Sequence, residues 1–399
     1  MSAIHELEDR VQRYPADRYP VQHATAQFHL GIALTNDGRL ADAEAALQRA
    51  VDLFRTLPLE HAKAVNALGT VLRLAGRLDE AAAAFDEAAA AFEADEHPLE
   101  EGAARFNLGL VLRDLGDHTA SQAALEEAAR LLDERRVPAQ AGAAARELGV
   151  TLLERGDLDR AADQLQEAAR LAAAHGDRAG LGAALNALGL AWLARGDTAR
   201  AADSFREAAA AHPRGIRPQE HAMAKTNLAV AHERAGDVAR ARIASAQAAA
   251  VPEAPQTVKE QARAVLDRLG APAGDLLAIL DDEPHERRAV LVREEVVRLV
   301  ASAPEERDAE LARWVEETAV RGADFAETWL NALLELPTDE LETLVRGVVA
   351  AVGGLDAETA ERVRAAVAAA SARFHVPQLM RLRETFDRFA AELGQQPWS

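Results

Sequence analysis

A Leu-Gly pair returns along this chain at Leu30-Gly31, Leu68-Gly69, Leu108-Gly109, Leu148-Gly149 and Leu188-Gly189, with Leu228-Ala229 in the same phase. The interval is 38 residues once and 40 thereafter. A period of that size marks a repeat architecture, in which each unit stacks on its neighbours to bury a face it cannot bury alone. Seven positions after each pair comes a glycine, at 38, 76, 116, 156, 196 and 236. Twelve positions after each pair comes a small residue: Ala43, Ala81, Ser121, Ala161, Ala201 or Ala241.

Each interval reads as a helix hairpin. The first glycine or alanine lets two helices approach closely, the second glycine breaks the chain between them, and the later small residue lies where the helices cross. One helical turn on, Leu47, Phe85, Leu125, Leu165 and Phe205 fill the seam, and the sixth unit has Ser245 there. Pro20, Pro58, Pro98, Pro138 and Pro218 open the first helices, where a missing N–H costs least, and the fifth unit has Arg178 instead.

Composition agrees with close-packed helices. Hydrophobic residues make up 49% but aromatics only 4%, so alanine and leucine carry the packing. Nothing alternates with period two for long enough to make a strand. The absence of cysteine excludes disulfides, thiolate metal sites and cysteine nucleophiles. A net charge of −20 repels a phosphate backbone, so no nucleic acid is expected as a partner. The start of the chain lacks the apolar core of a secretory signal, and no stretch is long and uncharged enough for a membrane span. The expectation is a soluble cytoplasmic protein with no membrane partner, and the arginine-rich, lysine-poor usage suits a GC-rich bacterial source.

The pattern resembles the tetratricopeptide repeat, whose consensus places an aromatic residue, then Leu-Gly, then a second aromatic, and A-x3-F on the second helix. Leu-Gly, the mid-hairpin glycine, the alanine and its apolar follower are kept here. The first tryptophan is replaced by Gln27, Val65, Arg105, Ala145, Leu185 and Lys225, and the tyrosine by Leu34, Leu72, Leu112, Leu152, Trp192 and His232. The unit is about six residues longer than the common 34, as in the longer-period branch. The resemblance, which covers about Pro20 to Ala250, implies an all-α fold: an α-α superhelix (solenoid) of six helix hairpins, to which the helical periodicity of the remaining chain adds a C-terminal helical bundle.

Residues 1–19 are expected to supply a capping helix, read as Met1 to Tyr14. Residues 20–270 hold the six repeats plus a second capping helix from Val258 to Leu269, and 271–399 form an all-helical region of about six helices, a separate bundle or an irregular continuation of the stack. Ser302 and Glu305 suit a capping box, and Asp356 suits an N-cap.

No metal-protease, phosphate-loop or nucleophile-elbow motif occurs, so no catalytic residue, metal site or cofactor is expected. His23, His61 and His221 share one repeat phase but lie too far apart in sequence for a local metal pair, which favours helix-start hydrogen bonding. The resemblance implies that the first helices line a concave groove and that polar residues before Leu-Gly touch a ligand. Those places hold Asn66, Asn107, Asn186 and Asn227, together with Arg146. Lys63 and Phe106 share the face. Asparagine is a poor helix-interior residue, and its amide can pair with an extended peptide backbone or with a neighbouring repeat. The expected function is a non-enzymatic adaptor or scaffold that binds a protein or peptide segment, with C-terminal helices that add a second contact or self-association into a homo-oligomer. The alternatives are a signal-peptide-responsive regulator that acts by sequestration, and an enzyme or enzyme subunit with its site in the C-terminal region.

Overall fold

In the computed structural model, residues 3–398 are described, and every regular element among them is helical. Met1 and Ser2, which open the expected capping helix, lie outside the described residues. The chain divides into two compact units, residues 1–197 and 198–399. That division falls between the two helices of the fifth repeat, whereas the change of sequence pattern lies near residue 270.

The first unit begins with α1 (Ala3–Arg13). Four complete hairpins follow: α2 (Pro20–Asn36) with α3 (Leu40–Leu53), α4 (Pro58–Leu74) with α5 (Leu78–Ala94), α6 (Pro98–Asp114) with α7 (His118–Leu131), and α8 (Pro138–Glu154) with α9 (Leu158–Ala174). Helix α10 (Arg178–Arg195) ends the unit. The prolines stand at the helix starts as expected. In α10 the Asp177 carboxylate takes over and accepts from the Gly180 N–H at 2.9 Å.

The repeat glycines act in two ways. Gly38 has φ of 79° and ends α2 in a Schellman motif, with Arg39 N–H donating to the Leu34 carbonyl at 2.9 Å and Gly38 N–H to Thr35 at 3.1 Å. Gly109 instead keeps two helices close: a Cβ there would stand 2.5 Å from Leu125 Cγ. In the sixth repeat, where alanine replaces that glycine, the seam residue is the smaller Ser245, whose hydroxyl donates to the Ala262 carbonyl at 2.6 Å. At the start of the unit, Ile4, Leu7 and Val11 of α1 pack against a core that holds Leu30, Leu34 and Leu47.

The second unit contains α11 (Thr198–Ala211), α12 (Pro218–Arg234), α13 (Val238–Ala249) and α14 (Gln256–Leu269). A short α15 (Asp275–Ile279) and a 3₁₀ turn lead to α16 (His285–Ala301), α17 (Pro304–Arg321), α18 (Ala323–Leu334), α19 (Thr338–Gly353), α20 (Ala357–Ser371) and α21 (Val376–Glu392). Its main core runs from Ile243 on α13 through Leu276, Val296, Trp314, Trp329 and Val348 to Phe386. The last repeat hairpin and the C-terminal helices therefore share one apolar interior.

Asp356 caps α20, accepting from the Thr359 N–H at 3.0 Å. The capping box expected at Ser302 and Glu305 does not form. Pro304 is the first residue of α17, so extended Ala303 becomes the N-cap, and Ser302 turns back to donate to the Arg298 carbonyl at 3.1 Å.

Candidate functional site

In the first unit successive first helices touch one another, α2 with α4, α4 with α6, α6 with α8 and α8 with α10, and no two successive second helices come as close. The first helices therefore line the tighter side of the stack. On that side a cleft of about 360 Å³ crosses α2, α4 and α6. Phe28, Ile32 and Ala67 supply apolar surface, while Lys63, Asn66 and Glu100 supply polar groups.

Lys63 Nζ donates to Glu60 Oε1 at 3.0 Å, and both side chains are over a third exposed. Such a pair contributes little in water, so the ammonium can turn to another acceptor. Asn66 accepts at its side-chain oxygen from the Asn107 amide at 3.4 Å. The two residues differ in register, three and two positions before their glycines, and this offset lets them meet across α4 and α6. Asn66 lines the cleft, and its own NH₂ makes no hydrogen bond among the described residues.

One helix further, Glu147 occupies the register position of Asn107. It accepts from Arg113 of α6 at 2.6 Å and from Arg146 at 2.7 Å. Burial would raise the Glu147 carboxyl, but the hydrogen bonds from Arg113 and Arg146 outweigh it and hold the group below the usual carboxylate range. Each phased histidine ties the start of its repeat to the segment before it, which is the end of the α1 cap for His23 and the preceding repeat for His61 and His221. His23 Nδ1 lies 2.8 Å from the Tyr14 carbonyl, His61 Nδ1 3.1 Å from Val51, and His221 Nδ1 3.0 Å from His212.

Models of the tetratricopeptide repeat match residues 22–94 and 59–134, and a second set matches residues 106–178, 177–216 and 186–256. These matches cover more than half of the sequence. The chain belongs to the tetratricopeptide-repeat family. It is similar to the solved structure of BtubC (BKLC) from P. vanneervenii, with 19% identity over 53% of this chain and 91% of that one and a TM-score of 0.48. It is also similar to pilF of Pseudomonas aeruginosa, with 14% identity, 60% and 96% coverage and a TM-score of 0.46. YrrB, described as a TPR protein with an unusual peptide-binding site, shows 21% identity, 54% and 93% coverage and a TM-score of 0.36. No curated protein matches the sequence.

Within this tetratricopeptide-repeat protein only part of the expected groove set comes together. Lys63 and Asn66 share the cleft and Asn107 is bonded to Asn66, while Phe106 is half-buried against Leu132, Ala144 and Leu171 between the third and fourth repeats. Arg146 lies beside a smaller cavity of about 160 Å³ with Pro138, Leu171 and His175. Asn186 is buried and already engaged, and Asn227 is engaged in the second unit.

Two groups of residues escaped sequence reasoning. The Arg113–Glu147 bridge was signalled only by an acid in the Asn107 register and an arginine 34 residues earlier. Lys225, at the place of the family tryptophan, is 4% exposed and donates from Nζ to Gln247 at 3.1 Å and to Glu294. A lysine in a register otherwise meant for the core was its signal. No group of three or more His, Asp or Glu able to hold a metal occurs among the described residues, and no described helix is long and apolar enough to cross a membrane.

Proposed function

We propose that the protein is an adaptor whose first unit grips an extended segment of a partner protein in the cleft across α2, α4 and α6. Tetratricopeptide repeats as a family support a protein-interaction scaffold, and the family is generally non-enzymatic. The observation that carries the finer reading is the composition of this cleft. An apolar floor at Phe28, Ile32 and Ala67 lies beside a weakly held ammonium at Lys63 and an amide at Asn66 with unused donors. An extended chain offers the matching set: apolar side chains for the floor, backbone carbonyls for the amide, and a carboxylate for the lysine.

The test is quantitative capture of partners from the native host with wild-type protein and with Lys63→Glu and Asn66→Ala. Losing one hydrogen bond at Asn66 should weaken binding by about 0.5–1.5 kcal/mol. Charge reversal at Lys63 should weaken it further, with helicity unchanged in both. Partner capture unchanged by both substitutions would defeat the reading.

A further inference from the structure

We propose that the second unit carries a separate binding site for a small organic acid with an apolar body, in the open cleft between α11, α12, α13 and α16. The cleft measures about 320 Å³, and all its lining residues lie between Arg206 and Glu294. Ligand pockets begin at roughly this size.

Three helices line it in the same rhythm. Helix α12 presents Lys225 and His232 with Leu228 between, α13 presents Arg240 and Gln247 with Ile243 between, and α16 presents Arg287 and Glu294 with Val290 and Leu291 between. Each polar pair is separated by two helical turns, about 10 Å. The result is two polar collars joined by an apolar belt.

The inner collar is closed on itself. Lys225 Nζ is bonded to both Gln247 and Glu294, and its side chain is only 6% exposed, so an entering anion would have to displace a buried partner. The outer collar is open. Arg240 Nε donates to Glu283 Oε1 at 2.8 Å, while Arg287 lies 3.6 Å from Glu283 and 3.7 Å from Asp203 and is 43% exposed. Arg206 shares Asp203 with it. Glu283 is buried and keeps Arg240, whereas the pairs that Arg206 and Arg287 make with the exposed Asp203 are weak, and a guanidinium released from Asp203 and turned inward can take a carboxylate through two parallel N–H donors. His232 stands at the same end as a neutral hydrogen-bonding group, because burial lowers its imidazole to about 4. The acid head thus sits at Arg206 and Arg287, and its apolar body lies along Leu228, Ile243 and Leu291.

The experiment is calorimetric titration of the full chain with octanoate and, separately, with octanol, alongside thermal melts. One octanoate should bind per chain and raise the melting temperature, and octanol should bind at least about tenfold more weakly for want of the charged contact. Val290→Trp, at a position 46% exposed, should plug the cleft and remove octanoate binding with native helicity. Arg287→Gln should weaken it by about tenfold and keeps the test decisive if the tryptophan variant misfolds. Absence of binding at millimolar octanoate, equal binding of octanol, or octanoate binding unaltered by Arg287→Gln would overturn the proposal.

Discussion

The side-chain amide of Asn107 donates to the side-chain oxygen of Asn66 at 3.4 Å, joining the first helices of the second and third repeats. This contact answers part of why asparagine stands at helix-interior positions. It ties repeats together and holds the Asn66 amide in one orientation at the cleft. If so, Asn66→Ala and Asn107→Ala should couple in a double-mutant cycle. Urea unfolding should give a coupling of about 0.5–1 kcal/mol, even though each alanine is the better helix former. Strict additivity would show that the contact contributes nothing.

The Leu-Gly pair makes a prediction whose sign separates packing from propensity. At Gly149 a Cβ would lie 2.5 Å from Leu165 Cγ. Helix propensity alone would make Gly149→Ala stabilising by about 1 kcal/mol. Overpacking should instead make it destabilising by about 1–3 kcal/mol in denaturant unfolding. A stabilised variant would mean that the seam is not tight.

Glu147 bridges α6 and α8 through Arg113 with only 14% of its side chain exposed. Glu147→Gln should lower stability by about 1–3 kcal/mol, because Arg113 is left half-buried beside a neutral group. A carboxyl with a lowered pKa contributes stability above its unfolded value and loses it as pH falls. The difference between wild type and variant should therefore shrink in acid. A difference independent of pH would contradict the charged bridge.

His232 gives a second pH signature in the second unit. Burial, the largest cause, lowers its imidazole to about 4; Asp237 and Glu283 oppose this, and Arg206 and Arg240 reinforce it. The unfolded side chain takes a proton below about 6.5. Between these values the unfolded state binds more protons, so stability is full above about 6.5 and falls towards pH 4. His212 and His221, lowered chiefly by burial, add in the same direction. Melting temperatures across this range should decline less steeply for His232→Gln than for wild type. Identical slopes would contradict the assignment.

The hairpins were legible in the sequence because their determinants are local. A glycine at positive φ ends the first helix, a proline starts the next, and a missing side chain at Gly109 makes room for Leu125. The histidine phase was legible for the same reason. The cleft was legible only in part, because the register between neighbouring helices decides who meets whom. Asn66 and Asn107 meet although they differ by one register position, and Phe106, in the register of Asn66, packs between repeats. The two collars were hidden because no repeat marks α16, and nothing in a 40-residue period announces that Arg287 and Glu294 would come to lie against the last hairpin.

The adaptor reading is tested most directly by placing a photo-crosslinking amino acid at Ile32, which lines the cleft and is 38% exposed, and a control at Val320, which is 79% exposed in the second unit. After irradiation in the native host, mass spectrometry identifies what is joined. The account predicts that Ile32 crosslinks to one contiguous segment of a partner protein, that Val320 does not, and that Lys63→Glu removes the product. An Ile32 probe that captures nothing beyond the Val320 control, or a product that survives Lys63→Glu unchanged, would contradict it.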